Sequence, residues 1–169
     1  MILESQRLLI RPYTTEDVHE LYGILSDPDT IAFWPKPFSL AQVEDWIQHR
    51  GIENYGIGIG RCAVLLKETG DLIGDAGIVN QVLDGNPEYD LGYIIHAQYW
   101  GHGYGGEAAA EIMRYGFEEL QLPRLCANMP AEHISSRRVA EKLGMQLEKE
   151  FINTRNRDVL TCLYSKNKV

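Results

Sequence analysis

The sequence predicts one mixed α/β domain (class α+β), a sheet with helices packed on it. Three observations predict this. Strand-like runs flank short turns, as in "RCAVLLK", "ETGD" and "LIGDAGIV" (Arg61 to Val79), so hairpins recur. One strand–helix–strand crossover, Tyr89 to Met129, sits among them and implies a single parallel neighbour. Apolar residues at helical spacing mark the connecting segments. With 169 residues, 44 % of them hydrophobic, and no linker, repeat or low-complexity stretch, residues 1–169 read as a single domain.

The elements follow in order. "RLLIRPY" (Arg7 to Tyr13) reads as a first strand. Thr14 offers an N-cap, and Val18, Leu21, Tyr22 and Leu25 form a helix stripe that ends before Pro28. "FWPKPF" (Phe33 to Phe38) is a proline-broken aromatic loop. Ser39 and Gln42 form a capping box for a second helix bearing Val43, Trp46 and Ile47. "NYGIGIG" (Asn54 to Gly60) reads as a loop or irregular strand, and the hairpin Arg61 to Val79 follows. "VLDGNPE" (Val82 to Glu88) is a turn cluster, and "YDLGYIIH" (Tyr89 to His96) the next strand. A helix starts near Gly105 with the stripe Ala109, Ile112, Met113, Phe117 and Leu120. A strand lies within Leu122 to Met129. Ser135 or Ser136 then caps a short helix that Gly144 ends. "QLEKEFI" and "DVLTCLYS" close the chain around "NTRNRD".

Composition excludes several function classes. A net charge of −8 argues against nucleic-acid binding, which needs clustered Lys and Arg. No run approaches the ~18 apolar residues of a membrane span, and the N-terminus lacks the pattern of a secretory signal. Cys62, Cys126 and Cys162 are widely spaced and form no CxxC pair, so no metal site or disulfide framework is expected. Buried, inert thiols in a reducing cytoplasm fit this pattern.

The segment "YWGHGYGGEA" (Tyr99 to Ala108) carries the chemistry. A P-loop is rejected because Glu107 stands where that motif requires lysine. Gly101, Gly103 and Gly106 satisfy a dinucleotide fingerprint literally. However, the next strand, "LCANMP", ends with Asn128 instead of an acid, and the chain supplies hairpins instead of further crossovers. A third reading is a loop whose bare N–H groups, backed by a helix N-terminus, face a pyrophosphate. Glycine permits that approach because a Cβ would meet the phosphate oxygens. A ligand-free strand-to-helix turn is the bland alternative.

This segment resembles the cofactor loop of the GNAT N-acetyltransferases, with Gly103 and Gly105 at its two small positions and Trp100 where Gln or Arg is usual. "LESQRLLIRPYTTEDVHELYGILSDPD", "GDLIGDAGI", "YDLGYIIHAQYWGHGYGGEA" and "SSRRVAEKLGM" are similar, in the right order, to segments of the RimJ/RimL-like branch. The resemblance implies a central, mostly antiparallel sheet splayed between its fourth and fifth strands, with helices on both faces. It implies acetyl-CoA in the gap, paired with the main chain of Ile94 and Ile95. Trp100, Gly101, His102, Gly103, Tyr104, Gly105 and Gly106 would surround the pyrophosphate, and Asn128, His133 and Ser136 would lie along the cofactor. His133 stands where the branch carries Asn, and Ala140 stands where many GNAT enzymes carry a thiolate-side tyrosine. No metal is implied.

Amine acetylation requires a neutral amine, and an amine of pKa near 10 is only about 0.1 % neutral at pH 7. Asp90 and Glu88, at the start of the fourth strand, are base candidates or else solvated turn carboxylates. Ser136 either hydrogen-bonds the thiolate or caps its helix. His96 and His102 are further candidates, and Glu107 reads as a helix-dipole partner. Phe33 and Trp34 are substrate-side candidates from the aromatic loop, whereas Trp46 reads as core. The expectation is a cytoplasmic, acetyl-CoA-dependent N-acetyltransferase acting on a protein N-terminus or small-molecule amine. The alternative is a CoA-binding sensor or interaction module without turnover. The sequence leaves a homodimer open.

Overall fold

A computed structural model describes all 169 residues. The strands are β1 (Leu3–Glu4), β2 (Leu8–Pro12), β3 (Gly60–Leu66), β4 (Leu72–Leu83), β5 (Asn86–Ile95), β6 (Arg124–Pro130), β7 (Gln146–Asn153) and β8 (Val159–Asn167). The helices are α1 (Val18–Leu25), α2 (Leu40–Asp45), α3 (Tyr104–Arg114) and α4 (Ile134–Lys142). One open sheet has the order β1-β2-β3-β4-β5-β6-β8-β7. Every neighbouring pair is antiparallel except β5 and β6.

That exception positions the site. The parallel pair is held by a single bridge, Asp90 opposite Cys126. Beyond it β5 continues to Ile95 and β6 to Pro130 without pairing, so a wedge opens between them. The predicted splay is therefore present. It lies between the fifth and sixth strands, because the two-residue β1 adds a strand that the sequence did not signal.

Side chains alternate across β5. Ile94 joins a ten-residue core with α1 and α2 on one face, while Leu91 and Ile95 join the larger core with α3 on the other. Helices thus cover both faces. The capping box of α2 forms as expected: Gln42 N–H donates to Ser39 Oγ at 3.2 Å, and Ser39 N–H donates to Gln42 Oε1 at 2.8 Å.

Three expectations need correction. Ile52–Ile57 is a 3-10 helical segment, where the sequence predicts a loop or irregular strand from Asn54 to Gly60. Its Tyr55 hydroxyl accepts the Tyr13 N–H at 2.8 Å and donates to the Arg61 carbonyl at 2.7 Å, which ties the segment across the sheet end. The turn between β4 and β5 shrinks to Asp84–Gly85, both at positive φ (48° and 81°), as a two-residue hairpin turn requires. Helix α4 starts at Ile134 with His133 at its N-cap, so neither Ser135 nor Ser136 caps it. All three cysteines are buried and free, and burial pushes Cys62 and Cys126 up to about 12, so their thiols stay protonated. No helix is long and apolar enough to cross a membrane.

Candidate functional site

The wedge opens into a cleft of about 550 Å³. Asp90, Tyr93, Asn128, His133 and Ser136 line it, as do Phe33 and Trp34. Sequence positions more than 100 apart therefore share one cavity.

The glycines flanking the wedge serve different purposes. Gly101 and Gly103 adopt φ of 82° and 80°, and no atom lies within 4 Å of where a Gly101 Cβ would be. These two are glycines for backbone conformation. Gly103 is the N-cap of α3, and no side chain caps that helix, so the amides of its first turn are free to meet an anion. Gly105 has another reason. A Cβ there would lie 2.7 Å from Tyr93 Cε2, so the tyrosine ring occupies the space. Gly106 meets only Val139, at 3.9 Å, and a methyl would fit. Backbone conformation therefore explains Gly101 and Gly103, and packing against Tyr93 explains Gly105.

Neighbours of this loop differ from expectation. Trp100 is 54 % exposed, and its indole N–H donates to the Ile95 carbonyl at 2.8 Å. It braces the loop against the strand end. The His102 and Tyr104 rings lie 5.5 Å apart, and the Arg7 guanidinium sits 4.4 Å above the Tyr104 ring. Glu107 is more than a dipole partner. It accepts from Ser5 Oγ at 2.6 Å, Arg7 N–H at 2.8 Å and Arg7 Nε at 2.7 Å, tying the start of β2 to α3. These contacts hold its carboxyl below the usual glutamate range against the opposing effect of burial, and Arg7 offsets its charge near the loop. Sequence reading missed Arg7.

On β5, His96 N–H donates to the Ile73 carbonyl at 2.8 Å, and the Ile94 carbonyl lies against Gly74. The even-numbered residues therefore turn their main chain to β4. Ile94 is thus committed to β4, correcting its assignment to the gap. Ile95 and Tyr93 turn toward the wedge. The His96 ring packs 3.7 Å from Asp27, away from the cleft.

The two base candidates separate clearly. Glu88 pairs with Arg124 at 3.2 Å and does not line the cleft, so it is structural. Asp90 is 7 % exposed and sits at the bridge where the wedge begins. Asn128 Nδ2 donates to both of its oxygens at 3.1 and 3.2 Å, and Gln81 Nε2 donates at 3.3 Å. Burial raises its carboxyl to about 7, against the opposing pull of Arg61 and the Asn128 hydrogen bond. A carboxyl balanced near neutrality in a cleft can accept a proton and release it.

Ser136 lies within α4 and lines the cleft, beside Tyr93. Burial pushes the Tyr93 phenol above its usual value, so it remains protonated. Nothing in the sequence singled out Tyr93 beyond its alternation with Ile95. His133 stacks on Phe33 with ring centres 4.1 Å apart, and burial holds its imidazole below the usual value. Asn156 Nδ2 donates to the Phe33 carbonyl at 2.8 Å, so the β7–β8 turn straps the aromatic loop over the cleft. Trp34, Phe38 and Trp46 meet edge to face at 5.6 to 5.8 Å. Trp46, read as core, also lines the cleft and donates from Nε1 to Asp75 at 2.9 Å. Asp75 is fully buried, pairs with Arg61 and accepts the Tyr13 hydroxyl at 2.7 Å.

Comparison with known proteins gives a consistent result. Residues 7–146 match the acetyltransferase (GNAT) domain family. An uncharacterized N-acetyltransferase of Bacillus subtilis, YnaD, is 32 % identical over 149 residues, which cover 88 % of this chain and 84 % of that protein. A GNAT-family acetyltransferase structure from Bacillus anthracis superposes with a TM-score of 0.81 at 27 % identity, covering 99 % of this chain and 98 % of the other. RimL, a ribosomal L7/L12 α-N-protein acetyltransferase solved with coenzyme A, shares the fold at a TM-score of 0.81 and 13 % identity, covering 99 % and 98 %.

Proposed function

The chain belongs to the GNAT acetyltransferase family and is an N-acetyltransferase by class, and from that premise we propose that it moves an acetyl group directly from acetyl-CoA to a primary amine, with Asp90 as the base. One observation carries this reading: a buried carboxyl near neutrality stands where β5 and β6 part.

Bound acetyl-CoA supplies the acetyl group, already activated as a thioester. The uncapped first turn of α3 and the amides from Gly101 to Gly106 suit its pyrophosphate, with Arg7 offsetting the Glu107 carboxylate beside them. The main chain of Tyr93 and the Ile95 N–H suit a strand-like partner in the wedge. Trp100, His102 and Tyr104 would border the cofactor, and Asn128, His133 and Ser136 would flank its reactive end. Asp90 takes the proton from the acceptor ammonium, which frees the nitrogen lone pair to attack. Asn128 and Gln81 orient the carboxylate for this. Tyr93 holds a proton on the α3 side, next to Ser136, in the role that Ala140 cannot fill. Phe33 and Trp34 border the acceptor side. We assign the chain to the RimJ/RimL-like branch and to the cytoplasm on its sequence segments and its reduced, buried thiols.

The test is thiol release from acetyl-CoA with a panel of amines. Release that depends on the amine is expected. Acetyl-CoA binding without amine-dependent release would make the protein a CoA-binding module instead.

A further inference from the structure

The chain carries a net charge of −8, yet the acceptor side of the cleft gathers three guanidiniums, Arg50, Arg61 and Arg155. Arg61 is 4 % exposed. Its Nε and Nη2 crowd one oxygen of Asp75, and Nη2 is buried without a properly formed hydrogen bond. Its Nη1 lies over Gly92, where any Cβ would collide, and has no protein acceptor. Arg50 donates from Nη1 to Gln81 Oε1 at 3.0 Å. The Cζ atoms of Arg61 and Arg50 stand 5.3 and 5.8 Å from the centre of the same Trp46 ring.

Protein carboxylates balance only one of the three guanidiniums. Asp75 is committed to Arg61, Tyr13 and Trp46. Asp84 pairs with Lys149 at 3.0 Å. Asp90, near neutrality, carries only part of a charge. Burial and the nearby Arg61 and Arg155 push the Arg50 guanidinium below its usual value, a repulsion that an incoming anion would relieve.

Building on the transferase reading, we infer that the acceptor carries an oxyanion, a carboxylate or a phosphate, which Arg50 and Arg61 hold while Asp90 meets its amine. One carboxamide, that of Gln81, spans Arg50 and Asp90 with contacts of 3.0 and 3.3 Å. Amine and anion are therefore a few bonds apart, as in an amino acid or an aminoalkyl phosphate. Planar guanidiniums match either oxyanion. Arg155, on the exposed strap, closes over the same charge, and Trp34 offers an apolar wall.

The test measures binding to the CoA-loaded protein, by calorimetry and tryptophan fluorescence. The probes are phenylalanine against phenylalaninamide and phenethylamine, and phosphoethanolamine against ethanolamine. The member that carries the oxyanion should bind about tenfold or more tightly than the partner that lacks it. Preference in the first set identifies a carboxylate, and preference in the second a phosphate. Arg50→Gln and Arg155→Gln should erase the preference while circular dichroism stays unchanged. Absence of preference in both sets, including no binding at all, overturns the inference, as does equal weakening by Arg50→Gln of the members with and without the oxyanion. Thiol release with amines that carry no oxyanion reports on the transferase reading separately. A protein that acetylates phenethylamine as fast as phenylalanine keeps that reading and loses this one.

Discussion

Across β5, the two faces of the sheet are built from different materials. The α3 face presents main chain: positive-φ glycines, an uncapped helix end and strand edges that have lost their partner. The α2 face presents side chains: Asp90 held by Asn128, and Arg61 and Trp46 held by Asp75, through contacts between residues 14 to 38 positions apart. A main-chain site suits a ligand common to many enzymes, because any sequence with the right conformation can make it. A side-chain site suits a ligand particular to one, because changing one residue changes what it holds. On the function proposed above, the contrast teaches that cofactor and acceptor recognition can vary independently on one strand.

Breaking the acceptor face should give the largest effects. Asp90→Asn should lower turnover about 10²- to 10⁴-fold while leaving acetyl-CoA affinity intact, as read by steady-state kinetics and calorimetry. In the parent protein, turnover should rise with pH through about 7, as Asp90 loses its proton. Stability should move the other way. Asp90 is raised to about 7 from 3.8, so the folded chain keeps a proton that the unfolded chain has lost. Folding free energy then declines as pH rises across that interval. At pH 8, Asp90→Asn should be the more stable protein by on the order of a few kcal/mol, and at pH 3 the two should match.

Asp75→Asn leaves Arg61 charged and buried, and should cost about 3–5 kcal/mol in denaturant unfolding. A loss below 1 kcal/mol would mean that solvent reaches Arg61, against its burial. On the cofactor face, effects should be smaller and split by residue. Gly105→Ala forces a methyl onto Tyr93 and should cost about 1–3 kcal/mol. Gly106→Ala has room in a helix and should stabilise by about 0.5–1 kcal/mol; if it also weakens acetyl-CoA binding, the phosphate lies against that residue. Ser136→Ala, at a position that does not cap α4, should change stability by less than about 0.5 kcal/mol.

Much of the conformation of the α3 face was legible in the sequence, because its signals are local. Glycines between a strand and a helix, and Ser39 with Gln42 before another helix, announce conformations within a few residues. Where a local signal misled, two residues competed for one role. His133 took the N-cap that Ser136 seemed suited to, and Tyr93 claimed the space that Gly105 leaves. Glu88 and Asp90 stand two apart as base candidates, and only the fold shows that Arg124, 36 residues beyond Glu88, pairs with one of them.

By itself the sequence determined the fold class, the order of nearly all elements and the glycine turn between β5 and α3. These depend on backbone preference and on apolar period, which short segments carry within themselves. The tertiary structure decided which carboxyl is buried to a pKa near neutrality, which arginines are left without a counter-charge and which aromatic ring lines the cleft. Burial and charge pairing depend on groups that meet only when strands distant in sequence come together, and no local pattern encodes them.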